Sequence, residues 1–357
     1  MPISISNSST RRPTQFWLRT WVFVCALSGF SFIGWEFFNV ANSLWRTGTN
    51  DSERLWAEKR IEASQLGTAG IVLIGASRIQ LGIDTLLLQK MTGQKVIQLA
   101  IDGNPYISVL EDLATDESIL GTIIVSTTVN GLLNSQNQKN RASQYLNYYH
   151  SISTHLFRFD TVEAKLTAIL RRYFRSRSNF VTPYKWALWP KDRLAQAGYL
   201  KFNSDRSVEA NYSLVDVGKM YSDRVKRHLG EESEAVYRSI PKFEDNIKHV
   251  NTLLTKIMSR GGRVVFVRFP TDKQIWEIDD TRYPKKLYWD KFAQLSIART
   301  VHFGDYPSLS GFNLPDGSHL DQSDKKEFTR ELSNILFNCG KNYLSIDEDG
   351  TPCDLIR

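Results

Sequence analysis

Cysteine is scarce. The 357-residue chain holds three, Cys25, Cys339 and Cys353. So few exclude a small disulfide-built scaffold. With no histidine cluster or further cysteines beside them, they give no basis for a metal centre. Cys25 lies inside an apolar run. Cys339 and Cys353 flank a polar segment, and in an oxidising compartment the two could pair and staple the C-terminal tail. An internal repeat is also missing, as is any low-complexity tract beyond the first fifteen residues. No nucleic-acid module signature is present. The formal charge of +7 is modest and spread along the chain. Nucleic acid is therefore not an expected partner, whereas an anionic membrane or polysaccharide would suit a basic surface. Long hydrophobic runs are absent except for one.

That run is near the N-terminus. Residues 1–15 are polar and carry Arg11 and Arg12; Phe16 to Phe38 are apolar and aromatic, with Arg19 near the start and Glu36 near the end. Thr20 to Trp35 carry no charge. This is slightly short of the ~20 residues that span a bilayer, but flanking side chains can snorkel. Trp17, Trp21, Trp35 and Phe37 stand at the two ends, as interfacial aromatics do. The arginines precede the run, so the positive-inside rule predicts a cytoplasmic tail over 1–15 and a single-pass anchor over 16–39. The main domain then lies on the extracytoplasmic (periplasmic) side of the inner (plasma) membrane. A cleaved signal peptide competes, with Ala41-Asn42-Ser43 as its site; Glu36 and the bulky aromatics argue against it.

Beyond the anchor, 40–68 read as a polar, helical stalk. From 69 to 338 the pattern is that of an α/β domain, followed by a tail over 339–357. Apolar strands at 70–75, 95–100, 122–126 and 263–269 alternate with helices around 83–92, 106–115 and 323–337. Phe243, Ile247, Val250, Leu254 and Ile257 line one face of another helix that ends at Gly261-Gly262. Near-continuous apolar strands alternating with helices predict a doubly wound parallel sheet with both faces covered. The segment 131–238, rich in Tyr, Arg, Ser and Asn, breaks the rhythm and reads as a helical insertion. Within it, 161–177 has the pattern of a basic amphipathic helix with Arg171, Arg172, Arg175 and Arg177. Such a helix fits a membrane surface or an acidic partner, and equally a solvated helix packed on the core.

Two short segments carry the chemistry. Ile71-Val72-Leu73-Ile74-Gly75-Ala76-Ser77-Arg78 is an apolar strand that ends in a small residue and a serine. Asp316-Gly317-Ser318-His319-Leu320 sets an Asp three residues before a His. Serine after a buried strand sits at the C-terminal edge of a sheet, where ligands bind in α/β folds. Taken alone, Ser77 also reads as a helix N-cap. Asp and His three apart in a turn can bond through one imidazole nitrogen and leave the other for the serine. Together they supply nucleophile, base and orienting carboxylate: Ser77, His319 and Asp316. The second glycine of the Gly-x-Ser-x-Gly elbow is missing, which argues against a lipase-type fold. Arg268 and the stretch Tyr283 to Asp290 follow a strand and could border the cleft.

With these two segments the sequence resembles the SGNH (GDSL-like) hydrolases. In that family the serine follows the first strand, and Asp and His sit together near the C-terminus as Asp-x-x-His. The resemblance implies an SGNH/flavodoxin-like α/β fold and a serine esterase or O-acyltransferase that uses no metal or organic cofactor. It also implies two oxyanion-hole donors. Gly103, after the second strand, matches the glycine; Asn130 is the equivalent of the asparagine, although the surrounding Gly-x-Asn-Asp is replaced by Ser126-Thr127-Thr128-Val129-Asn130. Arg78 is a residue found after the serine in membrane-bound relatives, where it either binds an anionic group or salt-bridges the fold. The anchored branch implies a polysaccharide or lipid-linked glycan substrate and a multi-span membrane acyltransferase as a partner. With its third motif degenerate, a non-catalytic scaffold or glycan-binding subunit stays open beside the enzyme.

Overall fold

A computed structural model describes residues 14–41, 51–133, 141–151, 199–230 and 240–337, with the single positions Leu166 and Leu188. Cys339, Cys353 and the arginine-rich stretch 161–177 lie outside them, apart from Leu166. The chain opens with α1 (Thr14–Ala41), in which Trp17–Phe38 form a helix long and apolar enough to cross a membrane, with none of it buried against the rest of the protein. At 1.5 Å per residue these 22 residues measure about 33 Å.

Next come α2 (Glu53–Ser64), β1 (Gly70–Ile74), α3 (Ser77–Gly82), α4 (Thr85–Thr92), β2 (Lys95–Gln98), α5 (Ile107–Thr115) and β3 (Thr122–Ser126). They are followed by α6 (Val129–Leu133), α7 (Arg141–Ser151), β4 (Leu200–Phe202), β5 (Val208–Ala210) and α8 (Val217–Gly230). The last part holds α9 (Ile240–Ser259), β6 (Arg263–Arg268), α10 (Lys273–Arg282), α11 (Trp289–Leu295), β7 (Arg299–His302), α12 (Pro307–Ser310) and α13 (Lys325–Phe337).

Five strands form one parallel sheet in the order β2-β1-β3-β6-β7. The chain winds outward one way from β1 to β2 and the other way from β3 on, so the reversal falls between β1 and β3. Successive side chains of a strand point to opposite faces. Val72, Ile74, Ile123, Val125 and Phe266 accordingly join one core with α2, α5, α7, α9 and α11. Ile71, Leu73, Ile124, Val265 and Val267 join the other with α3, α4 and α13. Burial on both faces is why these strands read as unbroken apolar runs.

Three departures from the sequence reading have physical reasons. The polar, helical stalk expected over 40–68 does hold a helix, α2, but it packs into the domain: its Trp56 is 0% exposed and donates from Nε1 to the Leu99 carbonyl at 2.9 Å. Arg60 of the same helix is buried against Asp112 (2.5 Å) and Asp116 (2.8 Å), so this helix carries a cation neutralised inside the domain. The expected helical insertion contains an antiparallel hairpin, β4 with β5, over a small cluster of Leu81, Val208, Ala210 and Tyr212. Its turn carries Arg206, fully buried, which clasps Asp51 with two bonds and donates to the Gln98 and Ala100 carbonyls. Finally, α7, within the expected insertion, contributes Ala142 and Tyr145 to the main core.

Candidate active site

Ser77 is placed by the end of β1. Gly75 has φ +137°, a conformation essentially reserved for glycine. A Cβ there would come within 2.6 Å of the Ser126 carbonyl oxygen on neighbouring β3. Ala76 is extended, and Ser77 is the first residue of α3, where helix N–H groups have no partner within the helix. The strand thus ends in a sharp corner with the serine at the C-terminal edge of the sheet, at the reversal between β1 and β3.

The loop before α13 supplies the other two groups. Asp316 Oδ1 accepts from the backbone N–H of Ser318 (3.0 Å) and of His319 (2.9 Å), which closes a tight turn. Gly317 within it has φ +80°, and its carbonyl accepts from Asp272 N–H at 2.9 Å. Asp316 Oδ2 lies 2.9 Å from His319 Nδ1, and His319 Nε2 lies 2.8 Å from Ser77 Oγ. This network assigns the proton to Nδ1, donated to Asp316, and leaves Nε2 to accept from the serine hydroxyl. Asp316 is 1% exposed and His319 8%.

A residue absent from the sequence reading completes the set. Arg224 of α8 donates through Nη2 to Asp316 Oδ2 at 2.6 Å. Burial by itself would raise the Asp316 pKa, but His319, Arg224 and the Ser318 amide overcome it and hold the group well below the usual carboxylate range. The His319 pKa is lowered, first by burial and then by the positive charges of Arg224 and Arg78, against the opposing pull of Asp316. The imidazole is therefore neutral at pH 7. Arg78 donates from Nε to Ser318 Oγ at 3.0 Å. Burial and the nearby Arg268 and Arg224 push its pKa down to about 9, so it stays a cation at neutral pH.

The triad-like line opens into a cavity of about 350 Å³ whose lining includes Ser77, Arg78, Gly103, Asn130, Arg224 and His319. Gly103 comes from the loop after β2, and Asn130 from the first turn of α6 after β3. Three consecutive strand ends thus converge on one space. Tyr106 Oη and Arg224 Nε, both buried, also belong to cavity-lining residues and have no hydrogen-bond partner. Arg268, expected to border this cleft, does not line it. It is 2% exposed, donates to Asp279 (2.8 Å) and the Phe269 carbonyl (2.8 Å), and faces a second, adjoining cavity with Tyr283, Lys285 and Trp289. Among the described residues, no group of three or more His, Cys, Asp or Glu is placed to hold a metal ion.

Set beside known proteins, the chain matches no family model and shows no significant sequence match to a curated protein.

Proposed function

We propose that this chain is a membrane-anchored, extracytoplasmic serine esterase or O-acyltransferase of the SGNH type, acting on acyl groups of an envelope or exported polysaccharide. The observation that carries this reading is the hydrogen-bonded line Asp316–His319–Ser77, on a neutral imidazole, at the mouth of a cavity. Ser77 Oγ attacks the acyl carbonyl carbon while its proton passes to His319 Nε2. Asp316 keeps the imidazole in the right tautomer and stabilises the imidazolium. The Ser77 and Gly103 amides and the Asn130 side chain receive the oxyanion. Collapse of the intermediate expels the alcohol, which takes the proton from His319. The acyl-serine is then resolved by water in an esterase or by a glycan hydroxyl in a transferase.

The proposed anchor is α1, with the preceding arginines in the cytoplasm. The covalent chain from Ala41 to Asp51 extends at most about 36 Å. The domain would thus work close to the bilayer, where lipid-linked or emerging glycans pass and where a multi-span acyltransferase could deliver acyl groups.

The test uses the full chain in detergent with p-nitrophenyl acetate and an acetylated polysaccharide. Ser77→Ala and His319→Ala are expected to lose about 10³-fold or more in kcat while keeping their circular dichroism. Wild-type turnover equal to that of Ser77→Ala on both substrates would sink the catalytic reading and leave glycan binding.

A further inference from the structure

The second cavity, about 190 Å³, shares Arg78, Thr128 and Asn130 with the first. Asp279 is the one carboxylate in its described lining, and it is already engaged by Arg268 at 2.8 Å and His228 at 3.3 Å. Lys285 is likewise held, by Asp290 and Asp305. Two cations remain. Arg78 donates to a neutral hydroxyl, Ser318 Oγ, and Arg282 to a neutral carbonyl, that of His228, at 2.6 Å. No described carboxylate lies within ion-pairing distance of either. Asp279 and Asp316 act on Arg78 only at longer range, and burial still lowers its pKa; a half-buried guanidinium with no carboxylate in direct contact is one that a bound anion would stabilise. Its planar fork suits the paired oxygens of a carboxylate or phosphate.

The rest of the lining says what carries the anion. Trp276, Tyr283 and Trp289 present aromatic surface beside the guanidiniums, apolar enough to pack the C–H face of a pyranose ring. The volume takes about one such ring. His302, pushed down to about 3 by burial, Arg268 and Lys285, is uncharged at neutral pH.

We infer that this second cavity is a subsite for an anionic sugar residue, read by Arg78 and Arg282 through its carboxylate or phosphate. Its neighbour in the glycan then sits with an ester at Ser77. The placement of the ester rests on the proposed function; the binding of the acidic sugar does not.

The experiment is calorimetric titration of the full chain in detergent with glucuronate, glucose 6-phosphate and glucose. At least one anion is expected to bind at least tenfold tighter than glucose, and more weakly as salt is raised. Which anion binds tighter separates a carboxylate from a phosphate source. Arg282→Gln should lose tenfold or more, with partial recovery in Arg282→Lys. Ser77→Ala and the exposed-site control Lys273→Gln should keep wild-type affinity. Anions bound no tighter than glucose, or an Arg282→Gln variant with wild-type affinity, would overturn the subsite. Ester turnover without anion binding removes the subsite alone; anion binding without turnover removes the esterase reading alone.

Discussion

At the scale of single residues, the behaviour of the site turns on His319. Its lowered pKa predicts that kcat/KM loses activity only below pH 6.5, the ordinary histidine value, and is flat through neutrality. Arg224 contributes to that lowering. Arg224→Gln, which removes the charge and keeps a donor, should therefore move the acid limb to higher pH; a pH–rate profile with an unmoved limb would contradict the electrostatic role. Gly75 sets the corner that presents Ser77. Gly75→Ala forces a Cβ against the Ser126 carbonyl and an L-residue into φ +137°. The strain is about 1–3 kcal/mol. Loss of activity should exceed loss of melting temperature, because the corner can relax only by displacing the serine. Ser77, Asp316 and His319 were legible because each sits in a local pattern, an apolar run ending in a small residue or an Asp-x-x-His turn. Arg224 was not: it meets Asp316 across 92 residues, and nothing near it in sequence marks that contact.

At the scale of elements, the strands and helices that bury an unbroken or 3.6-periodic apolar pattern were readable, as in β1, β3, β6, α9 and α13. Elements stabilised by buried charge were less so. The helix of α2 was read within the expected stalk, but not its burial, because Arg60 looks polar and serves it from inside; the β4–β5 hairpin is too short for a period-2 signal. Strand β7 was missed because Arg299 and Thr300 are only half buried and hide the run. The hairpin depends on Arg206. Arg206→Ala leaves the largely buried Asp51 side chain without an ion-pair partner among the described residues, at a cost of about 3–5 kcal/mol. Urea denaturation should show that loss, whereas a change under 1 kcal/mol would mean the clasp is not stabilising.

At the scale of the whole molecule, acid should loosen the fold before it protonates the carboxylates. The unfolded chain binds a proton on His302 near pH 6.5, the folded chain only near 3. Between these values the unfolded state holds more protons, so stability falls as pH drops through that window. A melting-temperature series should show this, and His302→Gln should flatten it; an unchanged slope would assign the effect elsewhere. The fold also fixes when the site can exist. Ser77 and His319 meet across 242 residues. Closing so long a loop comes late, after local and domain-internal contacts have formed. During synthesis Ser77 emerges well before Asp316 and His319, and on the proposed mechanism it can be activated only after the loop that holds them has docked against β1. On the proposed mechanism, a chain halted anywhere before Asp316 would lack both the base and the carboxylate that orients it, so Ser77 would be exposed without either.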